Sequence, residues 1–393
     1  MTRQADFKRR VRARMAKTGE SYATARSRLL ADQPDTTPDT EHPGTGHPGT
    51  GHPGTGHPGT GPLDWMPEAL HISNGDATDV PGTGLARRVV YWRDVLHEGP
   101  VPAVAPAELR RIRAGYLAGY EGVERAGTMR QFAERDQALE AGRDGEYVLW
   151  FEADLYDQLQ ITEILARLAG LGVPAGRVTL ICIGEHAGIA RFGGLGELTA
   201  GQLRELPHTN ACARLTPAAL ELATRAWAAF RAPAPEGLAA IAAARLGELR
   251  FLGEAFDRLS REYPATRDGL SLTERRVLAA VADGAPSAGR AVGRAMARET
   301  RPFMGDTTYL HRMDRMAAGP DPLLRLDPPG RPAELAAGVR LTDAGARVLA
   351  GQADQITLNG IDRWIGGVHL QGRHAPWRWD DGTETLVHLS GQE

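Results

Sequence analysis

The chain has 393 residues, 42% of them hydrophobic and 24% charged, with a formal net charge of -3. That length exceeds one comfortable core and predicts two or three domains, while the near-neutral balance disfavours a protein that grips nucleic acid over its whole surface. Two cysteines, Cys182 and Cys212, exclude a disulfide framework and a multi-cysteine zinc cluster and fit a reducing cytoplasm, and neither a bilayer-spanning apolar run of roughly 18 residues nor a signal-peptide core is expected.

Residues 1–30 carry nine Lys or Arg against Asp6 and Glu20. Phe7, Val11 and Met15 fall at i, i+4 and i+8, which makes one apolar stripe in a basic helical arm. Gly19 is a candidate stop and Ser21 a candidate cap for the next helix. Such an arm could touch nucleic acid or another acidic partner, or pack on the body as a solubilising element. Residues 31–63 are a linker in which four HPGTG copies set His42, His47, His52 and His57 five residues apart. Glycine and proline at that density cannot build a core, so a flexible spacer is expected. Loose metal binding by the four histidines is the lesser alternative, because a flexible ligand array must be ordered on binding.

The body begins near Asp64, and residues 64–212 read as an α/β domain. "ALHISNGDA" predicts a short strand ending in a polar turn, and "ARRVVYWRDVLHEGPVP" a second strand whose loop Gly99 and Pro100 keep from becoming helix. Residues 105–141 read as mostly helical. "GEYVLWFEAD" predicts a third strand, "DLYDQLQITEILARLAG" a helix, and "RVTLICIGEH" a fourth strand with Cys182 as a buried thiol. Strands separated by helices of this length predict a parallel sheet, whose ligands sit beyond the carboxyl ends of the strands. Residues 213–265 read as a helical region rich in Ala and Leu. In residues 266–393, a helix capped by Ser271 or Thr273 and a helical region covering 285–316 are followed by "PLLRLD" and "VRLTDAGARVLAG". With Thr342 as cap and Gly351 as stop, that order predicts a winged-helix-like C-terminal domain. The tail "DRWIGGVHLQGRHAPWRWD" is turn-rich and aromatic.

Each of the first three strands ends in a polar cluster. The first holds His71, Asn74, Gly75 and Asp76. The second holds Trp92, Arg93, Asp94, His97 and Glu98, and the third Glu152, Asp154, Asp157 and Gln158. If the strands are parallel neighbours, the clusters meet along one rim and suit a small anionic or phosphorylated molecule. Arg93 could clamp the anion bidentately. His71 or His97 could move a proton near neutral pH, and Asp76 or Glu152 could orient that imidazole or hold a divalent metal ion through hard oxygen ligands. The alternative roles are structural. Asn74-Gly75-Asp76 is ordinary turn composition, Asp154 and Asp157 suit a helix start, and Glu98 could pair with Arg93. In the tail, Trp364, His369, Trp377 and Trp379 with Arg363, Arg373 and Arg378 could stack and clamp a base or cover a domain interface. No Walker loop is present, no GxGxxG lies between the first strand and its helix, and no GxSxG elbow occurs. The glycines of "FGGLGELTA" suit a loop better than a phosphate cradle.

The segments "ALHISNGD", "YWRDVLHEGPVP" and "FEADLYDQLQ", within residues 69–190, resemble the bacterial family labelled domain of unknown function 1835. "LTDAG…LNGIDRWIGGVHL" resembles the C-terminal extension of its actinobacterial members. The resemblance implies a Rossmann-like domain and carries no chemistry.

Together these features predict binding of a small anionic or phosphorylated metabolite or nucleotide, with transfer or hydrolysis chemistry left open. His71, His97, Asp76 and Glu152 are the candidate catalytic groups. Asn74, Gly75, Trp92, Arg93, Asp94, Glu98, Asp154, Asp157, Gln158 and His369 are the candidate ligand contacts. The alternatives are a DNA-associated regulator using the basic arm or the winged-helix-like region, and a non-catalytic scaffold. A membrane partner is not expected, and homo-oligomerisation stays open.

Overall fold

The computed structural model describes residues 63–120, 122–189 and 192–389. The predicted basic arm and almost all of the HPGTG linker lie outside the described residues. The body is mixed α/β around a mostly parallel five-stranded sheet. Strand β1 is Leu70–Ser73, β2 Arg88–Tyr91, β3 Tyr147–Glu152, β4 Val178–Ile183 and β5 Cys212–Arg214, in the order β2-β1-β3-β4-β5. The first four run parallel, and β5 closes the edge antiparallel to β4.

The central strands are apolar because both faces of the sheet are covered. Tyr147, Leu149 and Phe151 of β3 enter one core together with Val178, Leu180 and Cys182 of β4. The alternate residues Val148, Trp150, Ile181 and Ile183 enter a second core with Met66, Leu195 and Leu203. This is period-two geometry applied to a strand with no solvent face. Between β2 and β3 run helices α1 (Pro106–Leu117) and α2 (Arg125–Ala141), and α3 (Leu155–Gly170) leads to β4. Helix α4 (Ala200–Glu205) precedes β5 and starts on a capping box between Thr199 and Gln202.

Helix α3 is buried almost all round, its polar Gln158, Gln160 and Glu163 included. The sheet lies against one side of it. Helices α5 (Pro217–Arg231), α6 (Leu238–Ala242) and α7 (Leu252–Ser260) follow, and α5 and α7 pack against its other side. The chain continues through α8 (Leu272–Ala282), α9 (Ala288–Met296) and α10 (Asp306–Ala317) into the antiparallel pair β6 (Leu324–Asp327) and β7 (Gly338–Leu341). A single bridge joins Ser287 to Gly338. Helices α11 (Asp343–Leu349) and α12 (Gln355–Asn359) then precede two hairpins, β8 (Ile361–Ile365) with β9 (Val368–Gly372), and β10 (Trp377–Asp380) with β11 (Thr385–His388). The turn-rich tail is thus built of two strand hairpins. Ser271 and Thr342 cap their helices as the sequence predicts.

One apolar core runs from the sheet into these C-terminal elements, and a chain of buried ions accompanies it. Arg312 on α10 meets Glu98 in the loop after β2. Glu262, after α7, takes Arg258 at 2.9 Å, Arg312 at 3.4 Å and Arg363 of β8 at 2.5 Å. Arg258 and Arg276 in turn share Glu299, at 2.7 and 2.6 Å. Charges removed from water are tolerable only when paired this fully. Among the described residues, no helix is long and apolar enough to cross a membrane.

Candidate functional site

The sheet order creates one crevice. From β1 the chain moves outward to β2, then returns across β1 to β3, so the loops after β1 and β3 leave in opposite directions. Ligands of open α/β sheets settle at such a reversal. Here Asn74, just after β1, donates through Nδ2 to both carboxylate oxygens of Asp157, at 2.8 and 2.9 Å. Asp157 also accepts from the Glu152 amide. Asp154 caps α3 by accepting the Asp157 N–H at 3.0 Å, and Gln158 Nε2 holds the Glu152 carbonyl at 2.8 Å. The Glu152 side chain accepts the Leu195 N–H at 2.7 Å. That contact requires the backbone to come close. Gly194 has φ 139°, and a Cβ there would lie 2.5 Å from a Glu152 oxygen. The "FGGLGELTA" segment is therefore a lid over a carboxyl group.

Three carboxyl groups this close cannot all ionise. Burial, then the Asp154 charge, pushes Glu152 up to about 8. Burial lifts Asp154 to about 6, against the N–H groups of Asp157 and Tyr156 and the positive charge of Arg301. Asp157 is raised well above the ordinary carboxyl range by burial and by its two acidic neighbours. At neutral pH the crevice holds protons that exposed carboxylates would have lost.

Beside it lies a cleft roofed by the C-terminal helices. One part, about 260 Å³, is lined by Asp154 and by Arg258, Arg276, Arg301 and Glu299. A second part, about 750 Å³, extends past the end of β4 along Glu185, His186 and Phe192 to Met296. The two share Glu299 and Thr300 as a common wall. Arg301 bridges floor and roof, donating to the Gly184 carbonyl at 3.1 Å and to Glu254 at 3.0 Å. His186 Nδ1 is buried without a hydrogen-bond partner.

Two of the three predicted clusters meet here, through Asn74, Glu152, Asp154, Asp157 and Gln158. Asp76 and Arg93 stand at the ends of β1 and β2, paired with each other at 3.1 Å and half exposed. Arg93 also lies over Tyr91, and Gly75 leaves open space beside it. The expected common rim does not extend to the rest of the second cluster, which turns inward. Trp92 donates to Glu163 at 2.9 Å. Asp94 takes a forked contact from the fully buried Arg113, the shorter arm 2.6 Å. Glu98 pairs with Arg312 instead of the anticipated Arg93. His97 sits between Tyr156 and Phe303 with both ring nitrogens unpartnered, and burial drives it down to about 4.

His71 is fully buried inside β1. Its Nδ1 accepts from Trp150 at 2.9 Å and its Nε2 faces the Met66 carbonyl at 2.9 Å. Those contacts fix the Nε2–H tautomer and leave neither nitrogen free for a ligand. His369 is stacked on Trp364 and hydrogen-bonded to Asp362 at 2.7 Å, on the β8–β9 hairpin. Among the described residues no group of three or more His, Cys, Asp or Glu is arranged to hold a metal ion. Glu152, Asp154 and Asp157 already direct oxygens at backbone N–H groups.

No family model and no curated protein matches the chain.

Sequence reasoning missed His186, Arg258, Arg276, Glu299 and Arg301. His186 carried a usable signal, since it follows β4 by three residues, as Asp76 follows β1. The arginines and Glu299 carried none, because their helices reach the cleft only through tertiary packing.

Proposed function

We propose that the protein binds a small anionic molecule in the cleft at the ends of β3 and β4, and that proton transfer accompanies binding. The observation that carries this reading is Asp154, a buried carboxyl group raised to about 6, which lines the same open cleft as Arg258, Arg276 and Arg301. A proton taken up by Asp154 as the anion arrives lets its carboxyl group donate a hydrogen bond instead of repelling the ligand. Arg258, Arg276 and Arg301 supply positive charge to the wall, with Arg258 and Arg276 held by Glu299 and Arg301 by Glu254. Asp154 and His186 are the groups for moving a proton, one in each part of the cleft. The likeness of residues 69–190 to the domain of unknown function 1835, with its Rossmann-like expectation, belongs to this reading and adds no chemistry. Two unpaired cysteines support a cytoplasmic setting.

We read α8 to β7 as a winged-helix-like unit, supported by the order helix–helix–helix–hairpin and by the Ser287–Gly338 bridge. In DNA readers of that order, the third helix enters the groove. Here that helix is α10, whose Arg312 is buried against Glu98 and whose His311 lies on Tyr120. This packing disfavours groove reading by α10.

The test is calorimetric titration of the full chain with inorganic phosphate, glucose 6-phosphate and succinate in buffers of differing ionisation enthalpy. Binding should take up protons near pH 7, because an added negative charge raises neighbouring carboxyl groups further. Arg301→Ala should weaken it by roughly tenfold, as loss of a charge-assisted contact does. Binding that is unchanged in Arg301→Ala, or none from this panel, would remove the reading.

A further inference from the structure

A second cavity of about 560 Å³ lies on another side of the molecule and shares no lining residue with the strand-end cleft. Its walls are Glu98, Gly99 and Pro100 of the loop after β2, Ile112 and Tyr116 of α1, Arg315 of α10, and Asp362 to Trp364 of β8. We propose that this cavity, with Trp364 as stacking face and Arg315 as anion contact, is a binding site for a planar aromatic ring bearing an anionic group. Nucleoside monophosphates and aromatic carboxylates share that chemistry.

The charges in the wall are spoken for, with one exception. Glu98 is taken by Arg312 and Arg363 by Glu262, both deep in the buried network. Asp362 is engaged by His369. Arg315 makes no ion pair with any described residue, and it is exposed. An unpaired guanidinium at the mouth of a cavity selects an anion and can grip it in forked geometry.

The walls select a flat ring. His369 covers one face of the Trp364 indole, with ring centroids 4.3 Å apart and planes 5° from parallel. His369 does not line the cavity, so the indole presents its remaining surface there. Base–aromatic stacking of this kind contributes substantially and tolerates any planar ring. Tyr116, also in the wall, is held by a backbone device. Gly99 has φ 75°, and a Cβ on it would lie 2.6 Å from the Tyr116 ring, so only glycine lets the ring lie flat on the loop. The Tyr116 hydroxyl is 3.4 Å from that of Tyr120, a long contact that leaves it able to bond a ligand. The volume is that of an ordinary small-molecule pocket.

The experiment is calorimetric titration of the full chain with adenosine 5'-monophosphate and, separately, with 4-hydroxybenzoate, with adenosine and inorganic phosphate as half-ligands. At least one of the two whole ligands should bind, and whichever does identifies the source of the anion. Its affinity should fall by roughly tenfold in Arg315→Ala and in Trp364→Leu, and stay unchanged in Arg301→Ala. The corresponding half-ligands should bind at least tenfold more weakly. Arg315 is on the surface, so its variant remains folded even where the Trp364 variant does not. The proposal is overturned if neither whole ligand binds at millimolar concentration, or if Arg315→Ala binds as wild type. It is also overturned if binding is lost in Arg301→Ala instead, which would put the ligand in the strand-end cleft.

Discussion

Replacing Glu262 by Gln tests whether the buried ions hold the C-terminal elements to the sheet. Glu262 is 2% exposed, forms ion pairs with Arg258, Arg312 and Arg363, and accepts from the Thr273 hydroxyl. Glutamine keeps the shape but removes the charge and turns one acceptor into a donor aimed at guanidinium groups. Arg312 keeps Glu98 and Glu274, and Arg258 keeps Glu299. Arg363 has no other ion pair among the described residues and is left with the Glu262 backbone carbonyl at 2.9 Å. Stranding one buried charge in this way costs about 3–5 kcal/mol, a large share of a typical total of about 5–15 kcal/mol. Urea unfolding should show a lower midpoint with an unchanged slope. The loss should persist in about 0.5 M salt, since a buried pair is poorly screened. The flanking cations hold the Glu262 carboxyl far below its ordinary value of 4.5, although burial opposes them. Its contribution is thus complete above the unfolded value and is lost only as pH falls through the depressed folded one, so the two proteins should converge only in strong acid. A loss below about 1 kcal/mol, the worth of an exposed pair, would refute the reasoning.

Glu152 should behave in the opposite sense. Its folded value is raised to about 8 from 4.5, so the folded state keeps a proton that the unfolded chain has released, and stability falls as pH rises across that window. Urea midpoints of wild type and Glu152→Gln, measured from pH 5 to pH 8.5, should shift progressively in favour of the variant; a constant difference would show that Glu152 titrates normally. Gly367 at the β8–β9 turn donates its N–H to the Phe230 carbonyl, and a Cβ there would meet the Arg231 carbonyl at the end of α5. Gly367→Ala should therefore destabilise by about 1–3 kcal/mol through forced displacement, and thermal unfolding equal to wild type would mean that the hairpin does not dock there.

The local grammar of this chain was readable without a structure. The four parallel strands lie where apolar runs meet turn residues, and Ser271, Thr342 and Asp154 cap the helices their side chains suit. These are signals within a few residues, where steric preference and backbone hydrogen bonding decide. The gathering of Glu152, Asp154 and Asp157 was legible for the same reason, since strand β3 and helix α3 are consecutive. Their meeting with Asn74, 83 residues from Asp157, needed the strand order β2-β1-β3, which no local pattern specifies. Nor does composition say which of many arginines answers a given acid. Glu98 could have paired with Arg93, five residues away, yet it takes Arg312, 214 residues on. In water at the surface such a choice is worth little. Inside a packed core every ion must find a partner, so it was the burial created by tertiary structure that decided which charges became scaffold and which were left facing the two cavities.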